Sequence, residues 1–305
     1  MLKKDFHFLL DLLEKTAGWQ FSEKQYFIIE KKIANFVRSK EYRSIENLIA
    51  ELKLGRHQLI NQVVETTVFS DTMFFRDAEV FDALETKILP ILKNKCRARK
   101  QINVWSLGCS SGQEAYSIAM MFDKCKKAFN DWKISIHGSD ISAVAINKAS
   151  RGAFNGFEIQ TGLNARDILT YFDNIDDQWI AKDILKKMIE FRQYNMLEEL
   201  ILISKFELVL CRNVLKYFSE EHQDKILQRI SSCQPQGSYL LLGKNEKIPA
   251  IEKYYYPFPN NSDFYISLGN QHKIQKEISN ISVSSPSKNS EEQYMPTFTR
   301  PKDLI

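Results

Sequence analysis

The feature that most limits what this chain can fold into is an alternation of short apolar runs and helical patterns that begins near residue 100. INVWSLG (102–108) is an apolar strand closed by glycine, and CSSGQEAYSIAMMF turns directly into a helix. KISIHGSD (133–140) repeats the unit, with a helix from Ser142. MIEFRQYN (188–195) and FELVLCRN (206–213) read as the third and fourth strands. Ser219 then caps a helix running towards Cys233, and PQGSYLLLG and SDFYISL (262–268) supply the last two strands. Strands joined by helices at this spacing predict an α/β fold with a doubly wound, mostly parallel sheet. In such a sheet the ligand sits outside the carboxyl ends of the strands, where strand order reverses.

Upstream the pattern is helical. Asp5, Phe8, Leu9, Leu12 and Leu13 form an acidic-capped amphipathic helix, and Ile29, Ile33, Phe36 and Val37 mark one apolar face. Ser44 and Asn47 precede Leu48, Ile49 and Leu52, and Leu59, Val63 and Val64 suggest a further helix. Asp5, Asp11 and Glu14 interrupt the apolar start, and no small-residue cleavage site follows, so a signal peptide is not expected. No apolar run approaches the roughly 20 residues that span a bilayer. Five widely spread cysteines without a CxxC pair argue against a structural metal and for reduced thiols in a cytoplasm. A net charge of +4 does not by itself call for nucleic acid or an anionic membrane. Beyond about residue 270 serine, proline and charge dominate, which reads as a disordered tail or short docking segment. The expected organisation is an all-α domain and linker over 1–85, a sheet domain over 86–270, and a polar tail over 271–305.

Four strand ends carry polar groups. Gly108-Cys109-Ser110-Ser111-Gly112-Gln113-Glu114 lacks the G-x-G-x-x-G spacing of a pyrophosphate site and the Lys-Ser/Thr of a P-loop. Glu114 would repel phosphates and suits a ligand with an ammonium or sulfonium group. Asp140 closes its strand, where an acid grips ribose hydroxyls; a helix cap is the plainer reading, since Ser142 follows. Asn195 can pair with adenine and Met196 can pack on its ring. Arg212-Asn213 directly after FELVLC is costly to place unless it faces a cleft. A ligand with adenine and ribose, no pyrophosphate and a cationic end is S-adenosylmethionine.

The segments TTVFSDTMFFRD (66–77), VWSLGCSSGQEAYSIAM (104–120), HGSDISAVAINKA (137–149), FRQYNMLE (191–198) and LVLCRNVLKYF (208–218) resemble the chemotaxis-receptor glutamate methyltransferases, the CheR family, in order and spacing over roughly residues 10–268. The resemblance implies a class I S-adenosylmethionine methyltransferase-like domain with a small antiparallel β-subdomain at about 165–191. It implies that Ser70, Thr72, Arg76, Glu114, Asp140, Asn195, Met196, Arg212 and Asn213 line the cofactor pocket. It also implies that Arg76 and Tyr217 lie closest to the transferred methyl, with no metal. Ser70 stands where many relatives have asparagine, and Gly243-Lys244-Asn245-Glu246 replaces Gly-His-Ser-Glu.

The implied reaction is transfer of the methyl to a receptor glutamate. That carboxylate is already ionised at neutral pH, so no strong base is needed. Arg76 can fork onto it, the plainer alternative being a surface ion pair with Asp77 or Glu79. Tyr217 can hydrogen-bond the same group or simply pack on the sheet. Lys24, Lys31 and Arg38 fall on one helical stripe, either a solvated face or a guide for acidic receptor helices. Some relatives dock a receptor's C-terminal pentapeptide on the β-subdomain beside a glycine-containing loop. Residues 171–191 contain no glycine and carry Asp173, Asp176, Asp177 and Asp183, so no tether docking is expected. Two other classes compete: a sensor of S-adenosylmethionine or its product, disfavoured by Arg76 and Tyr217, and an NAD-type oxidoreductase, disfavoured by Glu114 and the missing fingerprint.

Overall fold

The computed structural model describes residues 3–69, 71–199, 205–259 and 261–269. Ser70 and the tail from residue 270 lie outside the described residues. Four helices come first: α1 (Lys3–Ala17), α2 (Glu23–Ser39), α3 (Ile45–Lys53) and α4 (His57–Thr67). A linker leads to α5 (Ala78–Ala83), which continues through a π-helical turn (Leu84–Ile88) into α6 (Leu89–Lys95). Next come β1 (Gln101–Leu107), α7 (Gln113–Lys124), β2 (Lys133–Asp140) and α8 (Ala143–Arg151). A second small sheet is made by β3 (Ala153–Phe154), β4 (Phe172–Ile175) and β5 (Gln178–Ala181), with α9 (Gly156–Gln160) and α10 (Ala165–Tyr171) between β3 and β4. The chain returns through α11 (Asp183–Lys186), β6 (Ile189–Gln193), β7 (Leu208–Cys211), α12 (Glu220–Ser232), β8 (Tyr239–Leu242), β9 (Tyr255–Pro257) and β10 (Phe264–Ser267).

The main sheet has the order β6-β2-β1-β7-β8-β10-β9, and the small one β3-β5-β4 is antiparallel. β6, β2, β1, β7 and β8 are parallel neighbours, while β10 runs against both β8 and β9. This is the doubly wound, mostly parallel sheet that the strand–helix alternation predicts. From β1 the chain steps outward to β2 and β6, then crosses back to β7, so strand order reverses between β1 and β7. A crevice opens there by topology alone. β9 escapes the sequence pattern because Tyr255-Tyr256-Pro257 neither alternates nor reads as a strand with its proline.

Side chains alternate along each strand and so feed two cores. Ile102 and Val104 of β1 join Leu208, Leu210 and α7 on one face. Trp105 and Leu107 join Val209, Cys211, α12 and the buried residues of α1 to α4 on the other. The helical domain is thus part of the same apolar cluster as one sheet face. Two caps are those the sequence signals: Ser44 of α3 accepts from Asn47 N (3.3 Å), and Ser219 of α12 from His222 N (3.2 Å), whereas Asp5, read from sequence as an acidic cap, is buried within α1. No helix among the described residues is long and apolar enough to cross a membrane.

The linker is pinned by Phe74, which is fully buried and packs edge-on against Phe154 (5.0 Å) and Phe172 (5.7 Å) of the small sheet. Phe75 and Asp77 take positive φ (46° and 58°), and the Phe75 N–H donates to Ser117 Oγ (2.9 Å). Gly162 (φ +97°) makes this seat possible, because a Cβ there would fall 1.9 Å from the Phe74 carbonyl oxygen. Gly162→Ala should therefore lower unfolding free energy by about 2 kcal/mol or more, against about 1 kcal/mol for Gly55→Ala, whose site is open. Urea titration of both variants checks this, and equal losses would remove the steric argument.

Candidate active site

The crevice at the strand ends is a cleft with about 960 Å³ of atom-free space, part of it open solvent. Thr72, Arg76, Glu114, Asp140, Asn195, Met196, Arg212, Asn213 and Tyr217 all line it, so every described residue that the sequence singles out for the site is brought together. Ser70, the remaining one, lies outside the described residues. Ala17, Trp19, Phe69 and Asp71 also line the cleft and are not singled out for the site by the sequence. They come from the helical domain and linker, and only the packing of that domain on the sheet brings them here.

The β1–α7 turn is built for close approach. Gly108 (φ +76°), Ser110 (φ 50°) and Gly112 (φ +94°) take left-handed conformations. A Cβ on Gly108 would lie 2.5 Å from Val214 Cγ2 and 3.3 Å from Met196 Cε. At the end of β2, Asp140 is 7% exposed, and its two oxygens accept from Ser110 N (2.8 Å) and Ser142 N (2.9 Å). It is not the helix cap: that role belongs to Ser142, whose hydroxyl accepts from Ala145 N (3.0 Å). Burial raises the Asp140 pKa, and the backbone N–H donors of Ser142 and Ser110 oppose the rise. Glu65 of α4 accepts from Ser142 Oγ (2.6 Å) and Ala143 N, which bonds the helical domain to the start of α8.

Arg212, at the end of β7, is the buried cation of the site, its side chain only 2% exposed. It bridges Asp77 Oδ2 (2.6 Å), Glu114 Oε2 (3.2 Å) and the Arg76 carbonyl (2.8 Å). Glu114 also accepts from Ser106 Oγ (2.7 Å). Arg76 makes neither of the ion pairs considered from sequence, because Asp77 pairs with Arg212 and Glu79 with Lys244. It donates instead to the Asp71 carbonyl (2.7 Å) and lies 3.5 Å from the Asp71 carboxylate, itself almost fully exposed. Asn195 is also partly committed, donating to the Thr16 carbonyl (3.0 Å) and accepting from Leu197 N (3.0 Å).

Asn213 (φ 59°) is held by Glu246, which accepts from Asn213 N (2.8 Å), Gly243 N (2.8 Å) and Lys216 N (3.3 Å). Glu246 was visible in sequence only as the last residue of an altered motif. Tyr217 stacks on Phe69 at 5.5 Å, and the Lys32 ammonium of α2 lies 5.0 Å over the Phe69 ring while donating to the Val68 carbonyl. Burial, and then the Asp71 charge, raise the Tyr217 pKa, which keeps its phenol protonated at neutral pH. Burial likewise pushes the Cys109 thiol well up, so the one cysteine lining the cleft is neutral and a poor nucleophile.

The lining carries three carboxylates (Asp71, Glu114, Asp140) against two guanidiniums, and no histidine. That balance suits a cationic ligand with a carboxylate of its own and disfavours a pyrophosphate. Two buried polar atoms of lining residues, Ser110 Oγ and Arg212 Nε, have no hydrogen-bond partner among the described residues. Unsatisfied donors and acceptors of this kind fit a ligand that brings its own polar groups.

Comparison with known proteins identifies the same chemistry. A family profile described as "CheR methyltransferase, SAM binding domain" matches residues 70–263. Chemotaxis protein methyltransferase 1 of Pseudomonas aeruginosa is 30% identical over 82% of this chain and 93% of its own length. The chemotaxis protein methyltransferase of Borreliella burgdorferi is 32% identical over 84% of this chain and 93% of its own.

Removing Arg212 should leave Asp77 and Glu114 as uncompensated buried charge. Arg212→Met is expected to cost about 3–5 kcal/mol of stability at neutral pH. Adding Asp77→Asn should recover part of that loss. A loss below about 1 kcal/mol in chemical denaturation would show that the triad is solvated rather than buried.

Proposed function

Because the chain belongs to the CheR methyltransferase family, with S-adenosylmethionine as its cofactor and methylation in chemotaxis as its activity, we propose that it esterifies glutamate side chains of methyl-accepting chemotaxis receptors. The observation that carries the glutamate reading is Arg76. It is a guanidinium in the cleft that donates from Nη1 to the Asp71 carbonyl (2.7 Å) while Nη2 faces the exposed Asp71 carboxylate at 3.5 Å, a place that a substrate carboxylate can take.

Glu114 and Asp140 would hold the ammonium and ribose ends of the cofactor, with Met196 and Val214 against its base, and the unpartnered Ser110 Oγ and Arg212 Nε fit the same group. Thr72, Asn195, Asn213 and, by resemblance, Ser70 complete the pocket. Bound S-adenosylmethionine supplies an electrophilic methyl on a sulfonium sulfur, which a glutamate oxygen takes by in-line displacement. Arg76 aims one oxygen of that glutamate by binding the carboxylate as a fork. Tyr217, kept protonated, donates to the same carboxylate. No residue needs to remove a proton, which agrees with a cleft lined by no histidine. Two opposite charges disappear in the reaction, so a water-poor site favours it. Trp19, Phe69, Tyr217 and Phe218 supply the aromatic wall.

The receptor reading is supported by α2. Lys24, Lys31 and Arg38 are all exposed, and Phe27 (74% exposed) and Ile28 (43%) lie between them at helical spacing. Such a face offers charge to steer an acidic helix and apolar surface to hold it. Lys32, one residue along, connects α2 to Phe69 and Tyr217. With cytoplasmic receptor helices as substrate, the protein works in the cytoplasm.

Docking of a receptor's C-terminal peptide is not part of this proposal. β4 is an edge strand, but its hairpin turn uses Asp176 and Asp177 at positive φ (48° and 60°) instead of glycine. Asp173 on that edge already faces Lys182 at 3.6 Å.

The direct test is transfer of labelled methyl from S-adenosylmethionine to receptor cytoplasmic fragments. Base-labile label on glutamate is expected; base-stable label, or none in a protein that binds S-adenosylhomocysteine, would overturn the reading. Arg76→Lys should lose at least tenfold in turnover with cofactor affinity retained, because a point charge cannot make the fork. Titration with the isolated tether pentapeptide should give no heat of binding, and micromolar affinity dependent on residues 173–186 would refute that expectation.

A further inference from the structure

The net charge of +4 conceals a strong asymmetry. Residues 87–100 carry six cations and no acid, and residues 124–133 carry four cations and one acid, Asp131. The rest of the chain is left with 32 cations against 37 acids. The two segments are far apart in the core pattern but meet in space. β1 and β2 start side by side, Gln101 opposite Lys133, and Lys133 N donates to the Lys100 carbonyl (2.9 Å). A shallow groove between them is lined by Pro90, Lys93, Asn94, Arg97, Lys100 and Trp132.

Three of the ten cations are neutralised locally: Arg99 by Glu207, Lys124 by Asp167 and Lys126 by Asp123. Lys95 donates to the Gln236 carbonyl. Lys87, Lys93, Arg97, Lys100, Lys127 and Lys133 are exposed and make no ion pair among the described residues. Two apolar side chains accompany them: Ile91 (42% exposed), on α6 between Lys87 and Lys95 in sequence, and the half-buried Trp132 of the groove, which is held edge-on against Phe129 at 5.3 Å. Lys93, Arg97 and Lys100 share the groove and Lys133 adjoins Lys100, and cations gathered without ion pairs repel each other, so a protein that is otherwise net acidic gains nothing for its fold from gathering them.

We propose that this end of the sheet is a docking surface for the headgroup layer of an anionic phospholipid bilayer. Lysine and arginine give attraction to phosphate and carboxylate headgroups, and an indole and an aliphatic side chain between them suit the boundary with the acyl region. A single-stranded nucleic acid would use stacked aromatic platforms, and Ile91 offers no such face. The patch lies at the amino ends of the parallel strands and the cofactor cleft at their carboxyl ends, about 20 Å away along the seven residues of β1. Docking therefore leaves the cleft facing away from the surface. The inference stands apart from the receptor reading, because binding is measured without activity.

Sedimentation of the full chain with vesicles of phosphatidylcholine alone, or with 30% phosphatidylserine, tests it; the expected binding is to the anionic vesicles only and falls with salt. Changing Lys93, Arg97 and Lys100 together to glutamine should weaken partitioning by about a hundredfold, roughly fivefold per charge. Changing Lys24, Lys31 and Arg38 to glutamine should alter it much less. Emission of Trp132, read as wild type minus Trp132→Phe, should shift to the blue on the anionic vesicles. No binding, binding unaffected by the triple change, or tighter binding to a single-stranded oligonucleotide at the same salt would each overturn the proposal.

Discussion

Arg212 is the interaction on which the site's geometry depends. A guanidinium taken almost wholly out of water at the end of β7 must be matched by acceptors, and the three here come from two places in the chain. Glu114 is at the start of α7, and the Arg76 carbonyl and Asp77 are neighbours at the end of the linker. One buried charge therefore fixes the β1–α7 turn and the linker against the same strand end. Arg76 is aimed by its own backbone as a result, and the two left-handed residues beside it are tolerated because Phe74 and Arg212 over-determine the segment.

The helical domain is more than an attachment. Its apolar face belongs to the core on one side of the sheet, Glu65 bonds the start of α8, and Trp19 pairs with Phe218 as an isolated antiparallel bridge. Gln20 N donates to the Tyr217 carbonyl (2.7 Å). Through these contacts, and through Lys32 above Phe69, the helices supply one wall of the cleft. The same α2 that presents Lys24, Lys31 and Arg38 to solvent places Lys32 over Phe69 of the cleft lining.

Charge is distributed along the axis of the sheet. The cleft end is lined with carboxylates that suit a sulfonium or ammonium, and the opposite end gathers unpaired lysines and arginines. Averaging over the whole chain reduces this polarity to +4 and hides it. The segments responsible are consecutive neither in sequence nor in the apolar pattern, and it is the parallel pairing of β1 with β2 that sets them side by side.

Much of this protein could be read from its residues alone. Strand–helix alternation determined the doubly wound sheet, since apolar runs of strand length separated by helices can bury both faces in few other ways. Polar groups at strand ends identified Glu114, Asp140, Asn195 and Arg212-Asn213 as candidates, because such residues directly after a buried strand need somewhere polar to point. The caps at Ser44 and Ser219 are local hydrogen bonds and were equally legible. Tertiary structure alone decided who pairs with whom. Asp140 bonds backbone rather than capping a helix, Asp77 and Glu79 pair away from Arg76, and Asn195 is shared with the Thr16 carbonyl, all through partners that sequence spacing does not encode. Trp19 and Phe69 reached the cleft, and Glu246 its hold on Asn213, the same way. A pattern of spacing reports which face of its own element a residue occupies; what lies opposite that face is set only when separate elements close around a common core.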